Sequence, residues 1–319
     1  MSPSSYTLRI ATRQSRLALW QAEHVATRLR AAHPGLNVVL VPMTTQGDRI
    51  QDRSLAAVGG KGLFIKELEL AMSEGRADIA VHSMKDVPTE LPAGMTLAAM
   101  LERADPRDAF LSLHHASFAA LPNGARVGTS SLRRQCQLKH ARPDLELVTL
   151  RGNVETRLRR LEQGACDAIV LAAAGLQRLA LESRVTHYFD LEQSVPAVGQ
   201  GVIGIECRAD DARAIELVRA LNDAGAWLCC SAERAYAQRL EGSCQSPIAG
   251  YARLDGDRVR LSGVVGAPDG GELHRGTLEG AAAEAAALGV ALAERLLDAG
   301  ARELLARLRA DTPAEAVDE

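Results

Sequence analysis

Apolar positions along this chain switch repeatedly between two spacings, and the switches outline its elements. Strand-length apolar runs fall at residues 8–11, 38–44 and 78–82. Between them apolar side chains return every three to four residues, predicting helices over 17–31 and 64–73. The pattern restarts near Asp108, with strands predicted at 126–128, 146–150 and 168–172 and helices at 132–140, 154–163 and 174–181. The run PAVGQGVIGIEC (196–207) reads as a glycine-punctuated crossing followed by one more buried strand. Beyond it the character changes to an α+β pattern: helices over 212–221 and 228–239, strands over 248–254, 259–265 and 272–277, then a long alanine-rich helix from Ala281. Two α/β units and a late returning strand predict a pair of lobes with a cleft between them. The domain reading is 5–103 with 201–220 for the first α/β domain, 104–200 for the second, 221–310 for the α+β domain, and a frayed tail at 311–319.

Length and composition narrow the classes. At 319 residues the chain is long enough for two or three domains, and 47% hydrophobic with 24% charged residues excludes disorder for most of it. The net charge of -3 hides an uneven basic content, 33 Arg against 4 Lys. Coding bias explains such a ratio as well as selection for the planar guanidinium fork, which grips carboxylate or phosphate through two parallel hydrogen bonds. Aromatic residues at 3% argue against a surface that stacks single-stranded bases. Neither MSPSSYTLRI at the start nor any later apolar run reads as a leader or a membrane span, so a cytoplasmic protein is expected. The six cysteines contain no C-x-x-C pair and no histidine at zinc-finger spacing, so no metal site is expected. Cys244, in the loop-like EGSCQSPI, is a thiol available for chemistry.

Between Arg126 and Arg160 nine basic residues stand against three acidic ones, and their positions matter more than their number. In GTSSLRRQ a strand ends at Gly128, hydroxyls follow from Thr129 to Ser131, and Arg133 and Arg134 lie in the first helical turn. LRGNVETRLRR repeats the layout with Arg151, a Gly152-Asn153 turn and Arg157, and ATRQSRLALWQ repeats it again with Arg13, Ser15 and Arg16. Helix N-termini present unpaired N–H groups, and open α/β sheets take ligands at the carboxyl ends of their strands. These junctions are therefore an anion cradle in one reading and a solvated basic face in the other. The second suits Arg159 and Arg160; the first suits Arg133, Arg151 and Arg157. HSMKDVP puts Lys85 and Asp86 at the end of a buried strand, where the carboxylate either caps a turn or engages a cationic, amine-bearing substrate. His82 reads as a core or strand-end residue. The glycine-rich segment 47–62 around Lys61 is either a mobile lid or a long surface loop.

With HSMKDVP, GTSSLRRQ, LRGNVETRL and EGSCQSPI in this order, joined by IATRQSRLALWQ, VGGKGLF, LAAAGLQRL and PAVGQGVIGIECR, the chain resembles the porphobilinogen deaminases from Leu8 to about Leu308. The resemblance implies an α/β fold: two periplasmic-binding-protein-like α/β domains with a cleft between them, plus a smaller α+β C-terminal domain. It implies a transferase, a hydroxymethylbilane synthase. Such an enzyme condenses four porphobilinogen molecules head to tail into the linear tetrapyrrole hydroxymethylbilane, releasing four ammonia, in tetrapyrrole (haem) biosynthesis. It implies a dipyrromethane cofactor, made from the same substrate and held by a thioether to Cys244.

By motif position Asp86 is then the catalytic carboxylate, with Lys85 and Arg13 beside it. Ser15, Thr129, Ser131, Arg133, Arg134, Arg151, Gly152, Asn153, Arg157, Arg178 and Gln200 fall at cofactor- or substrate-binding positions, and Lys61 and Phe64 belong to the lid. Each pyrrole carries an acetate and a propionate, so the growing chain gains two carboxylates per ring and needs fixed guanidinium groups. Ser243 and Ser246 depart from the small or aliphatic residues expected beside the reactive thiol. A monomer acting on porphobilinogen, with no nucleic acid or membrane partner, is expected. One rival reading is a non-enzymatic two-lobed polyanion-binding protein, which needs neither Asp86 nor a loop thiol. Another is a nucleic-acid binder resting on the basic segment, whose affinity would fall steeply with salt.

Overall fold

The computed structural model describes residues 6–49, 64–242 and 246–310. They divide into two compact units, one holding 6–49, 64–104 and 201–227, the other 105–200, 228–242 and 246–310. In the first unit β1 (Thr7–Arg13), α1 (Arg16–Ala32), β2 (Asn37–Met43), the single turn α2 (Gln46–Arg49), α3 (Lys66–Ser73), β3 (Ile79–Ser83) and β4 (Met95–Met100) follow in order. From far along the chain β10 (Ile203–Arg208) returns to the same sheet, followed by α7 (Ala212–Arg219). The strand order is β2-β1-β3-β10-β4. β1 runs parallel to β2 and β3, and β10 antiparallel to β3 and β4.

Local sequence explains α1 well. Ser15 caps it, its hydroxyl accepting from Ala18 N at 3.3 Å, and Ala18, Gln21, Ala22, Val25, Ala26 and Leu29 form the buried stripe that packs on the sheet. Burying Val25 and Leu29 is worth roughly 2 kcal/mol each, so packing on the sheet outweighs helix propensity.

The second unit repeats the plan with β5 (Asp108–Leu111), β6 (Arg126–Gly128), α4 (Leu132–Ala141), β7 (Glu146–Val148), α5 (Val154–Glu162), β8 (Ala168–Ala172), α6 (Ala173–Arg178) and β9 (His187–Tyr188). The order is β7-β6-β8-β5-β9, again three parallel strands followed by an antiparallel one. In both sheets the turns that leave the parallel strands fall on one edge, which is where α/β folds bind ligands.

The same unit contains an antiparallel meander of β11 (Ile248–Asp255), β12 (Arg258–Gly266) and β13 (Leu273–Ala281). It is packed by α8 (Ala224–Arg239), which belongs to this unit from Leu228, and by α9 (Ala285–Leu296), with α10 (Arg302–Ala310) after it. Tyr236 is wholly buried there and its hydroxyl donates to Val264 O at 3.2 Å. Gly263 makes room for the ring, since an added Cβ would stand 2.7 Å from the Tyr236 hydroxyl oxygen.

Mixed α/β architecture with a C-terminal α+β part is as the pattern predicts. The pattern misses β4, β5 and β9. β5 has four residues and opens on a charged side chain, β9 has two, and β4 (MTLAAM) has one β-branched residue in six. The alanine-rich helix also begins later than Ala281, which pairs with Arg258 in the sheet, and it is broken at Gly300, whose φ is 111°. The 311–319 tail lies outside the described residues.

Candidate active site

The carboxyl ends of β1 and β3 gather the candidates of the first unit. Arg13 is the last residue of β1, Ser15 caps α1, and β3 runs directly into a 3-10 turn, Met84–Asp86, that carries Lys85 and Asp86. Arg13, Ser15, Phe64, His82 and Asp86 line one pocket. Gln21 Nε2 donates to Ser83 Oγ at 2.7 Å and ties α1 to the end of β3. The turn itself is pinned by Met84 N donating to Val202 O at 3.0 Å and Val87 N donating to Met84 O at 3.2 Å.

Arg13 has a partner that sequence spacing did not suggest. Its guanidinium lies 4.2 Å from the centre of the Phe64 ring and donates through Nε, at 3.2 Å, and Nη2 to Asp48. Burial alone would push the Asp48 carboxyl up, but hydrogen bonds and charge from Arg13, with Thr45, hold it below its ordinary value.

In the second unit the first strand-to-helix junction is organised by Asp108, another residue without a signature in the sequence. This carboxylate accepts from Arg133 Nη2 at 2.9 and 3.1 Å, Arg134 Nη2 at 2.7 Å, Ser194 Oγ at 2.8 Å and Gln200 Nε2 at 3.0 Å. Arg133 Nη1 donates to Val195 O at 2.6 Å and Arg134 Nη1 to Val170 O at 2.9 Å. Burial would raise the Asp108 carboxyl, but the two guanidinium charges hold it well below the usual carboxylate range. The motif reading aimed Arg133, Arg134 and Gln200 at a ligand; here all three turn to an internal carboxylate, because a strand opening on a buried aspartate needs cations to offset its desolvation. The Nε of both arginines is buried with no hydrogen-bond partner among the described residues.

The junction after Leu150 is built differently. Arg151 is half-buried, its Nε has no hydrogen-bond partner among the described residues, and burial lowers its guanidinium from the ordinary value. Asn153 caps α5 by accepting from Thr156 N at 2.8 Å, and Arg157 Nε donates to Gly152 O at 2.9 Å. Arg178, the last residue of α6, is pushed down to about 10 by burial. Thr129 is buried and its hydroxyl accepts from Ser131 N at 3.2 Å, while the Ser131 hydroxyl makes no cap bond at the start of α4. Cys244 and Lys61 lie outside the described residues.

Two family models match this chain: residues 8–216 fit the porphobilinogen deaminase, dipyromethane cofactor binding domain, and residues 227–298 the porphobilinogen deaminase C-terminal domain. The chain belongs to the porphobilinogen deaminase family. Its activity is that of a hydroxymethylbilane synthase, a transferase of tetrapyrrole biosynthesis that joins porphobilinogen units with loss of ammonia and carries a dipyrromethane cofactor. Among solved structures it is similar to a putative methionine-binding lipoprotein from Bacillus subtilis, with 12% identity over 68% of this chain and 90% of that one and a TM-score of 0.44. It is also similar to the periplasmic VFT2 domain of Bordetella pertussis BvgS, with 13% identity over 67% of this chain and 86% of that one and a TM-score of 0.43.

A dipyrromethane bears two carboxylates per ring, and the second unit fits such a group. A buried guanidinium nitrogen without a partner, as at Arg151, is a desolvated donor that an anion would satisfy. Among the described residues no helix is long and apolar enough to cross a membrane.

Proposed function

We propose that Asp86 is the carboxylate at which ammonia is lost, with Lys85 and Arg13 beside it. The supporting observation is that Arg13, Ser15 and Asp86, from two different strand ends, line one pocket. The nitrogen of the protonated aminomethyl group leaves as ammonia with the C–N electron pair while the methylene carbon stays on the ring, so the positive charge moves onto the pyrrole only as that bond breaks. A carboxylate within hydrogen-bond range of the pyrrole N–H stabilises that charge selectively, which lowers the barrier and not merely the ground state. The pinned 3-10 turn keeps Asp86 oriented for this. Lys85, Arg13 and the Ser15 cap of α1 pair with the acetate and propionate groups of the incoming ring.

When bound, dipyrromethane supplies the nucleophilic pyrrole α-carbon, and Cys244 holds it by a thioether. Arg151, Arg157 and Arg178 take its carboxylates and those of the growing chain, with Thr129, Ser131, Gly152 and Asn153 presenting hydroxyl and main-chain donors. Arg133, Arg134 and Gln200 form a rigid floor around Asp108, leaving the two Nε groups for a carboxylate. Lys61 and Phe64 belong to a lid. The domain division is 5–103 with 201–220, 104–200 and 221–310, and the protein works as a cytoplasmic monomer without nucleic acid.

The test is Asp86→Asn, read by intact mass and turnover. The variant should keep the fold and the cofactor mass and lose at least about 100-fold in kcat; near-parental turnover would remove Asp86 from its role. In parallel, Cys244→Ser should have the mass of the bare chain and give no colour with an acidic Ehrlich-type reagent. A retained pyrrole adduct would move the attachment to another cysteine.

A further inference from the structure

Among the described residues of the first unit, three buried ionisable side chains that the reaction described above does not use carry buried polar atoms without a hydrogen-bond partner. Glu206 on β10 is 0% exposed, His82 on β3 5% and Glu69 on α3 8%. β10 lies against β3, with Gly204 opposite His82 and Glu206 opposite Ala80, and α3 packs on both strands. His82 Nε2 stands 2.9 Å from Glu206 Oε2 without the alignment of a hydrogen bond. Glu69 Oε1 and both Glu206 carboxylate oxygens are likewise buried with no hydrogen-bond partner among the described residues.

A buried anion costs far more than the buried acid, and a second carboxylate close by adds repulsion to that cost at Glu69. Burial, then the Glu206 charge, push the Glu69 carboxyl up to about 7, with His82 and Lys66 opposing. Other charges on the surrounding elements have partners of their own. On β1, Arg9 pairs with Asp78 at 2.6 Å and Arg13 with Asp48. On β10, Arg208 pairs with Asp211 and donates to Met72 O and Ala77 O. His82 is the connection to the chemistry: the imidazole beside Glu206 also lines the pocket of Asp86, and the turn bearing Asp86 begins where β3 ends.

We propose that Glu69, Glu206 and His82 are positioning residues for the reaction, a buried cluster in which Glu69 gains and loses a proton and whose charge is felt in the Asp86 pocket that His82 lines. Its effect on turnover rests on Asp86 being the reacting carboxylate; the cluster itself does not. With Glu69 ionised, one more negative charge stands behind the pocket, and a transition state gaining positive charge there is favoured.

The experiment uses the full-length, cofactor-bearing protein labelled with 13C-glutamate, the Glu69 carboxyl being assigned by its loss in Glu69→Gln. Glu69 should titrate near 7, and its midpoint should fall by about one pH unit in Glu206→Gln. In turnover, the ratio of parental kcat to that of Glu69→Gln should rise roughly three- to ten-fold between about pH 6 and 8. Should Glu69→Gln not fold, Glu206→Gln gives the second reading, its rise in kcat displaced to lower pH by about one unit. A Glu69 midpoint at the ordinary carboxylate value, or a kcat ratio flat with pH, overturns the proposal. An active Asp86→Asn variant would remove the assignment of Asp86 while leaving the Glu69 titration in place, so the two failures are told apart.

Discussion

Arg134 Nη2 stands 2.7 Å from Asp108 Oδ1, and both side chains are sealed inside the second unit at 5% and 0% exposure. Arg133, Ser194 and Gln200 close on the same carboxylate. Removing one partner from such a cluster strands the others as buried charges, which is far costlier than never having built it. Asp108→Asn should therefore lose about 3–5 kcal/mol of stability, read from the urea midpoint. A loss below about 1 kcal/mol would mean that the two arginines find another partner. The folded carboxyl lies below its ordinary 3.8. Its stabilisation is thus complete above the unfolded value and is lost only as pH falls through the lower folded one.

Arg133 and Arg151 belong to neighbouring junctions of one sheet yet should respond oppositely to truncation. Arg133 is paired internally, whereas Arg151 carries a desolvated guanidinium whose Nε lacks a hydrogen-bond partner among the described residues. In a Cys244→Ser background, where no cofactor attaches, Arg151→Ala should melt no lower than its parent, and Arg133→Ala should melt lower. With the cofactor attached, Arg151→Ala should lose part of the ligand-derived stabilisation. Thermal melts of the five proteins check this, and equal destabilisation by Arg151→Ala with and without cofactor would make its role structural.

Glu69 ties stability to pH in the opposite sense from Asp108. Its folded carboxyl is raised from 4.5 to about 7, so the native state holds a proton that the unfolded chain has already released. Stability then falls as pH rises from about 4.5 to about 7 and is level above that. At about 1.4 kcal/mol per pH unit, the loss amounts to no more than about 3.5 kcal/mol. Glu69→Gln lacks this slope, and urea titrations at pH 5 and pH 8 should show it gaining on the parent at the higher pH. A gain independent of pH would show that Glu69 is ionised throughout.

Local chemistry was legible where the chain provides it locally. The α1 stripe, its Ser15 cap, the start of α5 after the Gly152-Asn153 turn and the buried β10 all follow from periodicity and local residues, and the motif order brought Arg13, Ser15 and Asp86 forward before the pocket joined them. What was hidden is long-range. Asp108 meets Arg133 and Arg134 across 25 and 26 residues, and Asp48 meets Arg13 across 35. Glu69 and Glu206 come together only because β10 returns to the first sheet. An acidic residue in a four-residue strand or on a short helix looks solvent-facing until topology supplies its neighbours. Counting arginines therefore gave no sign that two of the prime candidates also neutralise a buried aspartate.

Gly152 offers a way to disturb the junction proposed to take the ligand without removing any charge. Its φ is +103°, and a Cβ would stand 2.7 Å from Thr156 Cγ2 and 2.8 Å from Thr156 Cβ. Gly152→Ala thus combines backbone strain with a close approach to the first turn of α5, together about 2 kcal/mol of stability. Gly124 is the control: its φ is +73°, but nothing lies within 4 Å of an added Cβ, so Gly124→Ala carries only the strain, about 1 kcal/mol. Because Gly152 follows Arg151 and its carbonyl accepts from Arg157 Nε at 2.9 Å, its displacement should also raise KM for porphobilinogen several-fold, while Gly124→Ala leaves KM unchanged. Urea unfolding and steady-state kinetics on the two variants decide the matter. Equal stability losses with KM unmoved in both would mean that the loop absorbs the methyl group and that neither guanidinium depends on it.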